Sequence, residues 1–195
     1  LDGPVSPVMA ETFDQAAARA ERQGYRALIV ELDTPGGLES SMRDIVKRML
    51  SSRVPILVWI TPSGARAASA GVFITMAADV AAMCPGTNIG AATPINMQGP
   101  MDSTLARKAT SDAAAFARTV AAQRSRNAIW AEEAVRKAVA ASETEAVELG
   151  VVDFVAASLP ELLDKAEGRT WKRGGATRKL AVRGLPVDLI EPGLR

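Results

Sequence analysis

Histidine is absent from this chain of 195 residues. Its absence excludes Ser-His-Asp and Cys-His catalytic arrangements, histidine metal ligands and a histidine pH switch. The single cysteine, Cys84, excludes an intrachain disulfide and any Cys-x-x-Cys zinc or redox motif. If the protein is an enzyme, its general base is therefore a carboxylate, a lysine or the one tyrosine, Tyr25.

The sequence also lacks a long hydrophobic run and a strong net charge. No stretch reaches the roughly 18 apolar residues that a membrane-spanning helix needs. With 23 basic and 22 acidic residues the formal net charge is +1, which argues against a nucleic-acid binder that neutralises phosphates. The chain begins at Leu1, without a methionine or a leader, and we expect it to be a fragment or a mature segment of a longer protein.

Helical and strand-like hydrophobic patterns alternate along the chain. Spacing of apolar residues predicts helices over residues 8–23, 38–50, 105–125 and 128–140, and a helix of small residues from Ala67 onward. Short apolar runs predict strands over residues 27–32, 55–60, 80–83 and 151–156. The pairs Ser142 with Glu145 and Ser158 with Glu161 predict the N-caps of two further short helices.

This alternation predicts an α/β fold with a mostly parallel sheet covered by helices on both faces. A composition of 48% hydrophobic and 23% charged residues suits a globular protein. No repeat, linker or internal boundary is visible, so we expect a single domain over residues 1–195. Its core would span residues 1–168, and residues 169–195 would form a C-terminal extension of moderate order at best.

A turn of small residues follows the first predicted strand, over residues 33–37. Gly36 and Gly37 come directly after the strand, at the sheet edge where ligands bind in such folds. Glycines there let the backbone turn sharply and present N–H groups to a ligand, as in an oxyanion hole. An ordinary turn is the alternative interpretation.

Ser69 lies among alanines and glycines at the expected start of a helix. Small neighbours allow a substrate backbone to approach, and free N–H groups at a helix start, such as that of Ala70, stabilise developing negative charge. Ser69 is thus a candidate nucleophile. The alternative is a helix N-cap followed by alanines that pack closely.

Lys108 lies near the start of the long alanine-rich helix predicted over residues 105–125. Most lysines on helices are solvated surface charges. To act as a general base, Lys108 would need apolar surroundings that lower its pKa from about 10.4 to about 7–8. The neutral amine could then accept the proton of Ser69 without any histidine.

The Pro-Gly-Gly turn, the Ala-Ala-Ser-Ala-Gly segment around Ser69, the segment 85–92 and Lys108 together resemble one protein family. It is the NfeD-type membrane-bound serine proteases of the ClpP class, also called stomatin operon partner proteases. The resemblance extends from Leu1 to about Ala156. It implies a ClpP/crotonase-like fold without metal or cofactor.

By this resemblance Ser69 is the nucleophile and Lys108 the general base of a Ser–Lys dyad. The oxyanion donors are the amides of Gly37 and Ala70, together with Gly36. Cys84 stands where the family more often has a small apolar residue, and we expect it to serve packing. The loop over residues 95–104 matches the family weakly, which leaves open which residues gate the substrate groove.

The resemblance further implies peptide substrates with hydrophobic segments, notably the C-terminal region of a stomatin-like membrane protein. It implies a soluble domain of a membrane protein on the extracytoplasmic side, periplasmic or extracellular. The end near Arg195 would lead toward a first membrane span. A homodimer or a larger homo-oligomer is expected, and no nucleic-acid partner.

Three alternatives remain open on the sequence. A crotonase-type enzyme would use a carboxylate base and a coenzyme A pocket, with the Ser69 and Lys108 pairing accidental. A non-catalytic relative would bind hydrophobic tails as a scaffold. A signal-peptide-peptidase-like protease would also use serine and lysine, but that family takes its lysine from an earlier segment than its serine.

Overall fold

A computed structural model of the chain describes residues 1–95 and 102–190. The helices among these residues are α1 (Pro7–Gln23), α2 (Glu39–Ser51), α3 (Ala70–Met76), α4 (Ser103–Gln123), α5 (Ala128–Arg136), α6 (Glu143–Glu148) and α7 (Leu159–Ala166). The strands are β1 (Leu28–Leu32), β2 (Ile56–Ile60), β3 (Arg66–Ala68), β4 (Val80–Met83), β5 (Asn88–Gly90), β6 (Ala140–Ser142), β7 (Phe154–Val155), β8 (Thr170–Arg173) and β9 (Ala176–Lys179).

The main sheet is parallel throughout, in the order β1-β2-β4-β7. In β2, Ile56, Val58 and Ile60 pack into the hydrophobic core on one face of the sheet. Leu57 and Trp59 of the same strand pack into a second core on the other face. A strand buried on both faces requires cover on both sides of the sheet. The predicted α/β fold with a mostly parallel, helix-covered sheet is therefore confirmed.

A smaller sheet has the order β3-β5-β6, and its strand β3 ends directly before the candidate nucleophile Ser69. Strand β3 includes the first residues of the helix that was predicted from Ala67 onward. The predicted start of this helix was therefore wrong. Ala67 pairs with Ile89 of β5, and α3 begins only at Ala70. Alanine favours a helix, but this local preference is overridden here by the pairing of β3 with β5. The same sheet explains why α5 ends at Arg136, before the predicted end, because the chain then enters β6.

Capping residues define the short helices as the sequence predicts. The side chain of Ser142 accepts the N–H of Glu145, and the Glu145 carboxylate accepts the N–H of Ser142 at 2.8 Å, which completes a capping box. Ser158 accepts the N–H of Glu161 in the same way at the start of α7. The predicted strand over residues 151–156 is reduced to the two residues of β7.

The C-terminal extension is better ordered than predicted through residue 190. Its strands β8 and β9 form an antiparallel hairpin. Trp171, Leu180 and Val182 of this region are buried in the core beneath α7. Arg173 also forms an ion pair with Asp79, at 2.8 Å between Nη2 and Oδ2. These few anchors are enough to dock a segment that is otherwise polar.

Across residues 1–95 and 102–190, no helix combines the length and hydropathy that crossing a membrane requires.

Candidate active site

Ser69 lies at the junction between β3 and α3, in a strained backbone conformation. Its φ of 51° and ψ of −112° are unusual for a residue other than glycine. Its N–H donates to the carbonyl of Gly90 at 3.1 Å, which helps to hold this conformation. Ser69 occupies the N-cap position, but its side chain makes no capping hydrogen bond. A simple capping role therefore does not account for the residue.

Ala70 follows as the first residue of α3, where N–H groups find no acceptor within the helix. Gly71 comes next, and a Cβ built there would lie 2.8 Å from the Cγ2 of Thr34. Thr34 belongs to the turn after β1, so this contact packs the turn against the first residues of α3. The nucleophile candidate and the turn form one packed unit.

The turn after β1 is fixed by backbone pairing on both sides. Thr34 forms a parallel bridge with Ala67, and Gly37 forms one with Val5. Val5 donates its N–H to Gly36 and accepts the N–H of Leu38. Since successive residues of an extended chain alternate in direction, the N–H of Gly37 points away from Val5. A Cβ at Gly37 would lie 2.2 Å from the Val5 carbonyl oxygen, so only glycine fits.

Gly36 approaches Ser69 more closely than any other residue type could. A Cβ at Gly36 would lie 2.6 Å from the Cβ of Ser69 and 3.0 Å from its Oγ. The N–H of Gly36, however, donates to the Oγ1 of Thr34 at 3.1 Å. This amide is already engaged in the structure. Of the three predicted oxyanion donors, Gly36 is thus the one whose N–H is paired with a side chain, whereas the N–H of Gly37 points away from Val5.

Lys108 lies in the second turn of α4, and its side chain is exposed. The helices α3 and α4 run in the same direction, as two contacts show. The rings of Phe73 and Phe116 stack with centroids 5.8 Å apart, and further along both helices Arg124 donates to the carbonyl of Ala77 at 2.9 Å. Both helices therefore begin at the same end of the molecule.

The Phe73–Phe116 contact relates the two candidate side chains. Ser69 lies one helical turn before Phe73, and Lys108 lies about two turns before Phe116. The N-terminal ends of α3 and α4, near which Ser69 and Lys108 lie, are therefore at the same end of the molecule.

Arg43, which no sequence motif distinguishes, contacts α4. The guanidinium of Arg43 lies 4.3 Å from the centroid of the Phe116 ring and forms an ion pair with Asp112. Asp112 is one turn from Lys108, where a carboxylate would otherwise stabilise the lysine ammonium. Thr34 was missed as well. No periodicity or motif in a single sequence distinguishes either residue from an ordinary surface arginine or turn threonine.

In the part of the chain that the structure describes, no group of three or more Cys, Asp or Glu residues is arranged to hold a metal ion. Cys84 is buried among core residues. The loop over residues 95–104, which matches the family weakly, lies largely outside the described residues, since these exclude residues 96–101.

Sequence comparison places the chain among known proteins. The model of the NfeD1b N-terminal domain family matches residues 1–168. Membrane-bound protease PH1510 of Pyrococcus horikoshii is 36% identical over 174 residues, which are 88% of this chain. Membrane protein NfeD1b of Bacillus subtilis is 36% identical over 72 residues. The chain spans only 40% and 16% of the lengths of these two relatives.

Solved structures of the domain 1510-N, a membrane-bound stomatin-specific protease, share the fold. A variant with one serine replaced by alanine gives a TM-score of 0.92 at 33% identity, covering 99% of this chain and 95% of that chain. A variant with one lysine replaced by alanine, in complex with a substrate peptide, gives 0.91 at 32% identity and covers 99% and 90%.

ClpP1 from Listeria monocytogenes is a more distant structural match, with a TM-score of 0.65 at 16% identity over 81% of this chain and 89% of that chain. At this identity the match shows a common fold alone. The resemblance noted in the sequence is confirmed: the chain belongs to the NfeD1b N-terminal domain family, it has the ClpP-like fold, and its solved relatives in that family are proteases.

Proposed function

We propose that this domain is a serine endopeptidase in which Ser69 is the nucleophile and Lys108 the general base. The observation that carries the proposal is the strained position of Ser69 against the Gly36–Gly37 turn, at the end of the molecule where α4 presents Lys108. In the 1510-N relative, the replaced serine precedes the replaced lysine by a stretch of chain within two residues of that from Ser69 to Lys108.

The proposed reaction is acyl transfer through a covalent intermediate. Lys108 accepts the proton of Ser69, and the serine oxygen attacks the peptide carbonyl carbon. The N–H groups of Gly37 and Ala70 stabilise the resulting oxyanion, each contributing about 10²–10³ in rate. Lys108 then donates its proton to the leaving amine, and water releases the acyl group by the same route.

Hydrophobic substrates suit the surroundings of this site. Leu38, which follows Gly37, is 49% exposed, and Leu105, one turn before Lys108, is 58% exposed. A substrate segment lying on these side chains would bury apolar area and displace water from Lys108. Water exclusion favours the neutral amine that the mechanism needs. The Asp112 carboxylate is paired with Arg43 and does not oppose this change.

The names of the relatives support a proposal for the substrate class, and the family resemblance supports one for the setting. Because 1510-N is named as stomatin-specific, we extend the proposal to the C-terminal hydrophobic region of a stomatin-like membrane protein. The chain would be a single domain, soluble and on the extracytoplasmic side, within a longer membrane protein that forms a homodimer or larger oligomer. The residues leading to Arg195, expected to approach a membrane span, lie outside the described residues.

Cleavage of a panel of hydrophobic peptides, read by mass spectrometry, tests the proposal. The wild type should cleave, and Ser69→Ala and Lys108→Ala should each lose at least about 10³ of the rate. Lys137→Ala removes another exposed lysine, at the C-cap of α5, and should leave the rate unchanged. Cleavage by Lys108→Ala at the wild-type rate would exclude this lysine as the base. Peptide binding without any cleavage by the wild type would favour the scaffold alternative.

A further inference from the structure

Positive charge is concentrated in the C-terminal hairpin and the residues that follow it. Residues 169–183 contain six Arg or Lys residues and no Asp or Glu. The whole chain has a net charge of +1, so the rest of the sequence carries −5. Positive charge is therefore concentrated in this short segment, whereas the rest of the sequence is net negative.

The hairpin presents these charges on a fixed surface. Trp171 and Leu180 are buried beneath it, and Arg173 holds it to Asp79. All four residues of β9 are exposed. The basic side chains that face solvent are those of Lys172, Arg178, Lys179 and Arg183.

Exposed apolar side chains alternate in the segment that follows. Leu185, Val187 and Leu189 are 42%, 49% and 77% exposed. Asp188 lies between the last two and accepts a hydrogen bond from the hydroxyl of Tyr25 at 2.5 Å, which ties the segment to the domain. The segment, called the apolar row 185–189 below, therefore carries exposed apolar side chains that directly follow the basic residues in sequence.

We propose that the exposed basic side chains of the hairpin and the apolar row 185–189 form a docking surface for an anionic phospholipid bilayer. Lysine and arginine attract anionic headgroups, and leucine and valine side chains enter the boundary between headgroups and acyl chains. The net charge of −5 on the rest of the chain is repelled by the same surface, which orients the domain. A nucleic acid would use the basic residues but not the apolar row, and the one tryptophan of the hairpin is buried, so it is no stacking platform.

The docking surface lies at the end of the sheet opposite to the candidate active site. Asp79, which holds the hairpin through Arg173, directly precedes β4 and accepts the N–H of Ile56, the first residue of β2. Gly36 and Gly37 follow the carboxyl end of β1, the neighbouring parallel strand. A five-residue strand is about 17 Å long. Docking would leave Ser69 facing away from the lipid and open to a segment that extends from the membrane.

Sedimentation with lipid vesicles tests this inference on the 195-residue chain. Vesicles of phosphatidylcholine with a third of phosphatidylserine should bind the protein at low salt, and pure phosphatidylcholine vesicles should bind it much less. The triple change of Lys172, Arg178 and Lys179 to Gln should weaken binding about a hundredfold. Changing Arg22, Lys47 and Lys137 to Gln removes as much charge from exposed sites elsewhere and should weaken binding less than about threefold.

Four results would overturn the inference. They are no binding to the anionic vesicles, equal binding to the neutral vesicles, an equal loss in both triple variants, and tighter binding to duplex DNA than to vesicles. Thermal unfolding of both variants verifies that they remain folded. No cleavage is measured, so the outcome is independent of whether the domain is a protease.

Discussion

Gly36 lies so close to Ser69 that no side chain fits between them. A Cβ at position 36 would lie 2.6 Å from the Cβ of Ser69, closer than real Cβ contacts allow, and Gly36 adopts a φ of +110° that only glycine adopts without strain. The turn after β1 and the β3–α3 junction therefore depend on each other for their geometry.

Gly36→Ala should disturb the position of Ser69. We expect a loss of about 2 kcal/mol in the free energy of unfolding, from backbone strain and collision, and a fall of at least about tenfold in kcat. Gly64→Ala is the matched control, because Gly64 has a φ of +91° with nothing within 4 Å of the new methyl group. It should show the strain without the loss of activity. Equal kcat in both variants would contradict the proposed coupling.

Thr34 is expected to act as a positioning residue for the oxyanion site. Its buried Oγ1 accepts the N–H of Gly36 at 3.1 Å and donates to the Gly36 carbonyl at 3.2 Å. Thr34→Val keeps the methyl group near Gly71 but leaves the Gly36 N–H without its acceptor. The loss of this hydrogen bond should lower the free energy of unfolding by about 1–3 kcal/mol. Steady-state kinetics should show a lower kcat at nearly constant KM, and Thr34→Ser should restore it. A wild-type kcat in the Thr34→Val variant would contradict a positioning role for Thr34.

Glu21 should make stability depend on acid pH. A hydrogen bond from Arg48, at 3.0 Å, and another from the Arg53 N–H lower the pKa of Glu21 from 4.5 to about 2. Because the folded state favours the carboxylate, its stabilisation is complete above about pH 4.5 and is lost as the pH falls toward 2. Glu21→Gln should therefore lower the free energy of unfolding by about 1–2 kcal/mol at pH 7, and by progressively less below pH 4.5. Urea unfolding at several pH values measures the difference, and a difference constant down to pH 3 would contradict the assignment.

Arg173 should hold the C-terminal hairpin to the domain. It binds the carboxylate of Asp79, which is 1% exposed, and donates to the carbonyl of Ser52. Arg173→Met breaks this pair, and we expect about 2–3 kcal/mol of destabilisation together with faster trypsin cleavage within the hairpin. Lys172→Met also removes one trypsin site but no ion pair, so it should be cleaved at the wild-type rate. Equal cleavage of both variants would show that the ion pair does not hold the hairpin.

The sequence predicts best the elements whose own hydrophobic pattern decides their structure. Strand β2 is a run of five apolar residues between turn signals. Helix α1 has apolar residues at helical spacing and ends at Gly24. The predicted bounds of both elements agree with the structure to within a residue or two. The capping box at Ser142 is equally local. The elements that were missed depend on distant partners. Strand β3 consists of Arg66, Ala67 and Ala68, whose composition favours a helix, and it exists because β5 pairs with it.

The candidate site divides in the same way. Ser69, Lys108 and the two glycines were visible in the sequence because the family motifs contain them. The engagement of the Gly36 amide by Thr34, and the pairing of Arg43 with Asp112, depend on side-chain directions that no spacing encodes. The order of the hairpin was underestimated because its sequence is mostly polar. Only three buried side chains, those of Trp171, Leu180 and Val182, pack it into the core.

The central claim is that Lys108 activates Ser69, and a serine-directed fluorophosphonate tests it most directly. The serine oxygen displaces fluoride to form a bond to phosphorus, and its proton passes to the base, so intact mass and peptide mapping report both the site and the rate. The account predicts one adduct, on Ser69, that forms at least about 10² more slowly in Lys108→Ala and is absent in Ser69→Ala. Labelling of a different serine, or an unchanged rate in Lys108→Ala, would contradict it.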